Sequence, residues 1–376
     1  MFKRLLAVST ATLLTLATFA FAAEMREDHP SRYVVQKGDT LWDISARFLK
    51  KPWLWPEIWQ ANPQVKNPHR IYPGDVLSLV YVDGQPRLTS NGGNPQISSS
   101  PAVETIALDK IEPFLRQLTV VDEFRSLPYI VGLEEDRLLA SAGQVVYVRG
   151  LANAQPGMAV QIARPISEFR WSGKHVKSIG WGLDFRGDWL HYDWESIGRQ
   201  VGGRRANTNA IGYQMVKAGY GEVTQVQGEV AVVVLREENL AVRVGDRILP
   251  VETQPYDPYY YPRAPDSVPP NATVMAVAQG ILRAGPNTVV AISAGAADGL
   301  KNGDTFSIWH DGAIKSDTVS HRYPSGADND KVTMPDDYIG RVMIFRTFNK
   351  MSYGLVMESI RPTSVGDLLK HPDATQ

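Results

Sequence analysis

The sequence predicts an α+β protein, a small βααβ domain followed by β-rich domains of barrel or sandwich type. Three observations lead there. Between Tyr33 and Leu79 the pattern runs strand, helix, helix, strand. Beyond residue 101, β-branched runs recur at lengths that suit strands. A Gly-Asp turn repeats along the chain: Tyr72-Pro-Gly-Asp, Arg243-Val-Gly-Asp, Lys301-Asn-Gly-Asp and Ser364-Val-Gly-Asp, with Gln155-Pro-Gly-Met as a variant. Glycine permits the positive φ such a turn needs, and each turn leads into an alternating apolar stretch.

The first segment reads as an export leader over residues 1–22. Lys3 and Arg4 supply positive charge, Leu5 to Phe21 form an apolar region rich in Leu, Ala and Thr, and Ala20-Phe21-Ala22 fits the small-x-small cleavage rule. The alternative is an uncleaved anchor, since a span needs at least roughly 17 apolar residues. No later run is long enough, so no transmembrane segment is expected after cleavage. The mature chain is expected in the periplasm, associated with the cell wall and the outer membrane.

The module at 33–80 follows. Tyr33 to Val35 form a strand that turns at Gly38. Thr40 stands where a helix N-cap belongs, and Asp43 is placed to close a capping box. Leu41, Ile44 and Phe48 fall on one helical face. Pro56 suits the first turn of a second helix, which Asn62-Pro63 ends. Trp42 and Trp59 are expected in the core; Trp53 and Trp55 fit either core or surface.

Residues 83–101 are rich in Gly, Asn, Ser and Pro and read as a flexible linker. A β-rich domain is expected over 102–250, opening with a short helix between Ile111 and Phe124. A Pro/Tyr-rich linker spans 251–270, and a last β-rich domain covers 271–372.

Composition bounds function. The 376 residues hold 39 basic and 40 acidic side chains, a net charge of −1. Phosphate binding requires a basic excess or patch, so nucleic acid is not the expected partner. With no cysteine, disulfides, thiolate metal sites and cysteine nucleophiles are excluded. None of the seven histidines forms a zinc-peptidase spacing. The closest cluster, His191-Tyr192-Asp193, favours a structural contact. Trp194-Glu195-Ser196 carries a Glu-Ser pair found in lytic transglycosylases, and Gly295 to Leu300 loosely resembles their later glycine motif, but at far too long a separation. No Gly-x-Ser-x-Gly elbow, Walker loop or dinucleotide glycine motif occurs. The expectation is a non-enzymatic protein without cofactor or metal.

Val35-Gln-Lys-Gly-Asp-Thr-Leu-Trp-Asp-Ile-Ser45, Trp59-Gln-Ala-Asn-Pro63 and Ile71-Tyr-Pro-Gly-Asp-Val-Leu77 closely resemble the LysM family. The stretches Lys51 to Pro56 and Val65 to His69 depart from the common pattern by being longer and more aromatic, which bears on groove shape. The resemblance implies binding of peptidoglycan glycan strands through N-acetylglucosamine. It places Gly38, Asp39, Thr40 and Leu41 on one groove wall and Asn62, Pro63, Ile71, Tyr72 and Pro73 on the other. The exported LysM chain with its cysteine-free β region also resembles the type IV pilus secretin-associated protein family (TsaP). The C-terminal region of that family is similar to the flagellar protein FlgT. That resemblance implies an adaptor between peptidoglycan and an outer-membrane secretin. Exposed aromatics near Trp171, Trp181 and Trp189 are possible contacts, with core packing favoured.

Overall fold

The computed structural model describes residues 24–59, 71–82, 85–90, 105–172, 175–180, 210–252, 260–278, 283–317 and 331–374. Its described part is strongly β. Among the described residues helices are confined to three short α-helices and a few single turns, so the α+β expectation is corrected to a β-rich body carrying one small mixed module.

That module contains β1 (Arg32–Val34), α1 (Leu41–Phe48), α2 (Trp55–Trp59), β2 (Val76–Val82) and β3 (Gln85–Ser90), with sheet order β1-β2-β3. Thr40 caps α1 as its position predicts. Asp43 N–H donates to Thr40 Oγ1 (3.1 Å), and Thr40 N–H donates to Asp43 Oδ2 (3.2 Å). Leu41, Ile44 and Phe48 are buried together with Trp55, Ile58 and Trp59. Strand β3 falls inside the expected linker 83–101. Leu88 pairs with Leu79 and is buried in this core, which holds the strand despite its polar neighbours.

Helix α3 (Leu108–Arg116) is earlier and shorter than expected. Leu118-Thr-Val-Val121 instead forms β4, antiparallel to a later strand. The first large sheet continues with β5 (Tyr129–Leu133), β6 (Val145–Arg149), β7 (Ala159–Ser172), β8 (His175–Gly180), β9 (Ala210–Gln227), β10 (Val230–Glu238) and β11 (Arg247–Pro250). Its order is β4-β9-β10-β6-β5-β11-β7-β8, and β9 also pairs with β7. The ring β5-β6-β10-β9-β7-β11 therefore closes on itself as a barrel. Val146, Val148, Val160, Ile162, Val233 and Leu235 are among the residues that fill it.

The second body unit has β12 (Val274–Val277), β13 (Arg283–Ala284), β14 (Val289–Ile292), β15 (Thr305–His310), β16 (Ile314–Ser316), β17 (Lys331–Thr333), β18 (Asp337–Thr347), β19 (Ser352–Ser359), β20 (Thr363–Ser364) and β21 (Leu368–Lys370). The main sheet runs β12-β14-β19-β18-β15-β21. A Thr273–Leu368 bridge joins its two ends, with Leu369 N–H 2.8 Å from Ala272 C=O. This too is a closed six-stranded ring, filled by Val290, Ile292, Phe306, Ile308, Ile344 and Val356 among others.

The two barrels follow one path, and the Gly-Asp turns show why. In each turn the third residue has positive φ. Its N–H donates to the carbonyl of one strand residue, whose own N–H donates back to the carbonyl of the turn's fourth residue. Gly245 and Asp246 clamp Ile130 in this way, as Gly366 and Asp367 clamp Val274. Gly157 and Met158 clamp Val223, as Gly303 and Asp304 clamp Ile344. The third pair lacks aspartate: Gly143 and Gln144 clamp Leu235, as Asn287 and Thr288 clamp Val356. All twelve bonds measure 2.7–3.0 Å. Val223 and Leu235 are twelve residues apart, as are Ile344 and Val356. The Ala140–Val242 bridge matches the Ala284–Thr363 pair. Gly219 and Gly340 also correspond. A Cβ there would lie 2.3 Å from Glu237 O and 2.1 Å from Glu358 O, so no larger residue fits either place. The body is an internal structural duplication.

The expected linker 251–270 is packed over its described second half. Tyr260 is buried and its N–H donates to Thr105 Oγ1 (3.2 Å), while Arg263 Nε donates to Asp304 Oδ1 (2.8 Å).

One further apolar cluster lies outside both barrels and joins all parts. It unites Trp42 and Trp53 of the module, Ile111 and Phe114 of α3, Phe169 and Ile211 of the first barrel, and the outer face of the second. Arg346 reinforces the joint. Its Nη1 donates to the carbonyls of Phe114 (2.7 Å), Leu115 (3.0 Å) and Leu118 (2.6 Å), capping the C-terminal end of α3 with positive charge.

Candidate functional site

The N-terminal module carries the same clamp. Gly74 N–H donates to Val35 C=O (2.8 Å), and Val35 N–H donates to Asp75 C=O (2.9 Å). This stitches the loop after β1 to the loop before β2. It sets two turns of one chemistry side by side, Gln36-Lys-Gly-Asp39 and Tyr72-Pro-Gly-Asp75. In both, the glycine has positive φ, +92° at Gly38 and +101° at Gly74. In both, the first residue's N–H donates to the aspartate Oδ2, at 2.8 Å for Gln36 and 2.9 Å for Tyr72.

The clamp thus sets the loop of Gly38, Asp39, Thr40 and Leu41 beside the loop of Ile71, Tyr72 and Pro73 across one stitched rim. Asn62 and Pro63 lie outside the described residues. The side chains have distinct tasks. Asp39 closes its turn and also accepts from Tyr33 Oη (2.8 Å). Thr40 is occupied in the helix cap. Leu41 and Ile71 are fully buried in the module core, so their side chains do not cover a sugar face in this conformation. Gly38 and Gly74 are exposed, and Tyr72 and Pro73 half-buried. The surface on offer combines exposed turn backbone with one aromatic and one pyrrolidine ring, a set suited to acetamido groups and sugar faces.

Burial, helped by the Asp39 hydrogen bond, raises the Tyr33 phenol above its usual pKa and keeps it a donor. The Arg47 guanidinium sits 4.7 Å from the Tyr33 ring centroid, a cation–π contact that braces β1 against α1.

The four module tryptophans are all buried. Trp55 and Trp59 fill the module core, whereas Trp42 and Trp53 point into the cluster shared with the body. Arg341 of β18 stacks 4.2 Å above the Trp53 ring. Lys51 Nζ lies 2.5 Å from Asp373 Oδ1, and Trp55 meets Tyr261 at 5.5 Å between centroids. The module is therefore docked on the second barrel through its inter-helix segment, whereas the stitched rim is built from the loops at the ends of β1 and β2. Sequence reasoning missed this docking; its one visible signal was the excess of tryptophan between the helices.

His191, Asp193 and Glu195, weighed as catalytic, lie outside the described residues, as do Trp181, Trp189 and the side chain of Trp171. Asp298, in the glycine motif, accepts Gly295 N–H (2.9 Å) and closes a local turn. Among the described residues no group of three or more potential metal ligands occurs, and no helix is long and apolar enough to cross a membrane.

Residues 33–80 match the family model described as LysM domain. Over an alignment of 60 residues the chain is 35% identical to the uncharacterized protein YqbP of Bacillus subtilis (strain 168), covering 13% of this chain and 27% of that protein. The chain thus spans about a quarter of the length of the curated relative it matches. LysM domains bind peptidoglycan and N-acetylglucosamine, which supports a cell-wall-binding role for this protein.

Proposed function

We propose that this protein is a non-enzymatic peptidoglycan-binding adaptor that anchors an outer-membrane machine to the cell wall. The machine that best fits the resemblance of the chain to the TsaP family is the type IV pilus secretin. In this reading residues 1–22 export the chain to the periplasm and are removed. The LysM module holds glycan strands along the rim of Gly38 to Leu41, Asn62, Pro63 and Ile71 to Pro73, and the body meets the machine.

The observation that supports it best is the stitched pair of turns. Val35 fixes the two loops together, and the turn aspartates are spent on backbone amides. What the rim presents is preformed backbone, which suits binding better than proton transfer.

The mature full-length chain, incubated with purified sacculi, tests this. Co-sedimentation that soluble N-acetylglucosamine oligomers reverse, with no release of muropeptides, is the expected result. Release of sugar fragments would instead establish a wall-remodelling hydrolase with an unrecognised catalytic domain. Retention of the secretin in the sacculus fraction, lost when the gene is deleted, tests the machine's identity. Failure there with sacculus binding intact would leave a wall-binding protein of another assembly, such as a flagellum.

A further inference from the structure

The duplication of the barrels exposes one difference between them. On the second barrel the outer face of β14 and β19 is buried. Val289 pairs with Leu355 and Ala291 with Tyr353, and Met275 of β12 lies in the same cluster. Phe114 of α3 packs edge-on against Tyr353 (5.6 Å), and Phe169 and Ile211, from the long strands β7 and β9 of the first barrel, join the same cluster.

The corresponding rows of the first barrel have the same register and are also apolar. Val145 pairs with Val234 and Tyr147 with Val232, and Val131 corresponds to Met275. Here the face is open: Val131 is 43% exposed and Tyr147 37%. Ion pairs Arg236–Glu222 and Arg149–Glu229 frame it. An apolar strip rimmed by charge marks an interaction surface.

The complementary element is also present. The first barrel covers the second with the arm it inserts between its Gly157 and Val223 clamp residues. The second barrel inserts an arm at the equivalent point, between Gly303 and Ile344, and this contains the hairpin β16–β17. Among the described residues at the hairpin, three apolar side chains stand open: Ile314 at 61%, Val332 at 47% and Met334 at 38% exposed. Among the described residues one arm-on-barrel contact is made within the chain, leaving over one arm and one strip.

We propose that the β16–β17 arm of one copy packs on the Val131, Val145, Tyr147, Val232 and Val234 strip of a second copy, repeating between chains the contact already made within one. Such a head-to-tail contact joins different patches, so it closes into rings or grows into filaments rather than stopping at a dimer. It stands independently of glycan binding.

Sedimentation of the mature full-length chain tests it. The mass is expected to rise with concentration beyond that of two chains. Val232→Lys in the strip and Val332→Asp in the arm should each leave a monomer with an unchanged melting temperature. An equimolar mixture of the two variants should give a species of two chains and none larger, because it retains one intact arm and one intact strip. Tyr147→Glu serves as a second strip variant should Val232→Lys misfold. A wild-type chain that stays monomeric at every concentration, a Val332→Asp chain that still assembles, or a mixture that fails to associate would each overturn the proposal.

Discussion

Arg164 and His310 occupy one position in the two barrels, each seven residues beyond a clamp glycine, Gly157 or Gly303, and each facing the buried aspartate of the last clamp turn. Arg164 grips Asp246 with two bonds of 2.8 Å and a third to Ala241 C=O. His310 holds Asp367 with a single contact of 2.9 Å. The aspartates are equally buried, but Arg164 is itself largely buried and His310 mostly exposed.

Removing one partner of a buried ion pair costs about 3–5 kcal/mol, whereas an exposed pair is worth about 1 kcal/mol or less. Arg164→Leu should therefore lower the unfolding free energy by about 3–5 kcal/mol, and His310→Leu by about 1 kcal/mol, in denaturant titrations. Equal losses would show that burial of the cation does not set the difference.

The clamp glycines should differ in sensitivity. Gly74→Ala places a Cβ in open space and is opposed only by φ = +101°, a cost of about 1–2 kcal/mol. At Gly303 the new Cβ would also lie 2.3 Å from the Tyr261 carbonyl oxygen. Thermal melts should show a small loss for the first variant and a clearly larger one for the second.

These glycines mark how far the sequence could be read. The Gly-Asp turns were legible because their chemistry is local: a glycine for positive φ, then a carboxylate that returns to the first amide. The duplication was not, because each clamp closes on a strand residue far away in the chain. Three of the six body clamps, at Gly143-Gln144, Gly157-Met158 and Asn287-Thr288, carry no aspartate to announce them. The cap at Thr40 and Asp43 could be read for the same local reason. The tasks of Leu41 and Ile71 could not, since the family resemblance names positions without saying which way a side chain points. Strand β3 was hidden by composition: five of its six residues suit a linker, and Leu88 alone ties it to the core.

Docking of the module predicts shared unfolding. Trp53→Ala removes the ring beneath Arg341 and opens the joint cluster, at about 3–5 kcal/mol for a large aromatic truncation. Calorimetry should show the module and second barrel melting together in the wild type and separating in the variant. An unchanged single transition would place the coupling elsewhere.

Asp336 gives a pH test with a definite sign. Its carboxylate accepts from Lys370 Nζ (2.6 Å) and from Gly312 N–H (2.9 Å), at the base of the hairpin arm. The lysine bond first, then the amide, hold its pKa below the usual 3.8. The folded value is depressed, so the stabilisation is fully present above pH 3.8 and is lost as pH falls through the folded value. Asp336→Asn should cost up to about 1 kcal/mol at neutral pH, given partial exposure. The gap to wild type should close in strong acid, and one that persists there would assign the effect to packing.

The docking of Trp53 beneath Arg341 also settles how tension would travel. A pull applied at the stitched turns would reach β18 through the Arg341–Trp53 contact and the segment after β21 through the Lys51–Asp373 pair. Wall and barrel would be held at a spacing set by the width of the folded module. Slack would appear only after that joint ruptures, so the joint would act as a mechanical fuse whose breaking force a substitution at Trp53 should reset.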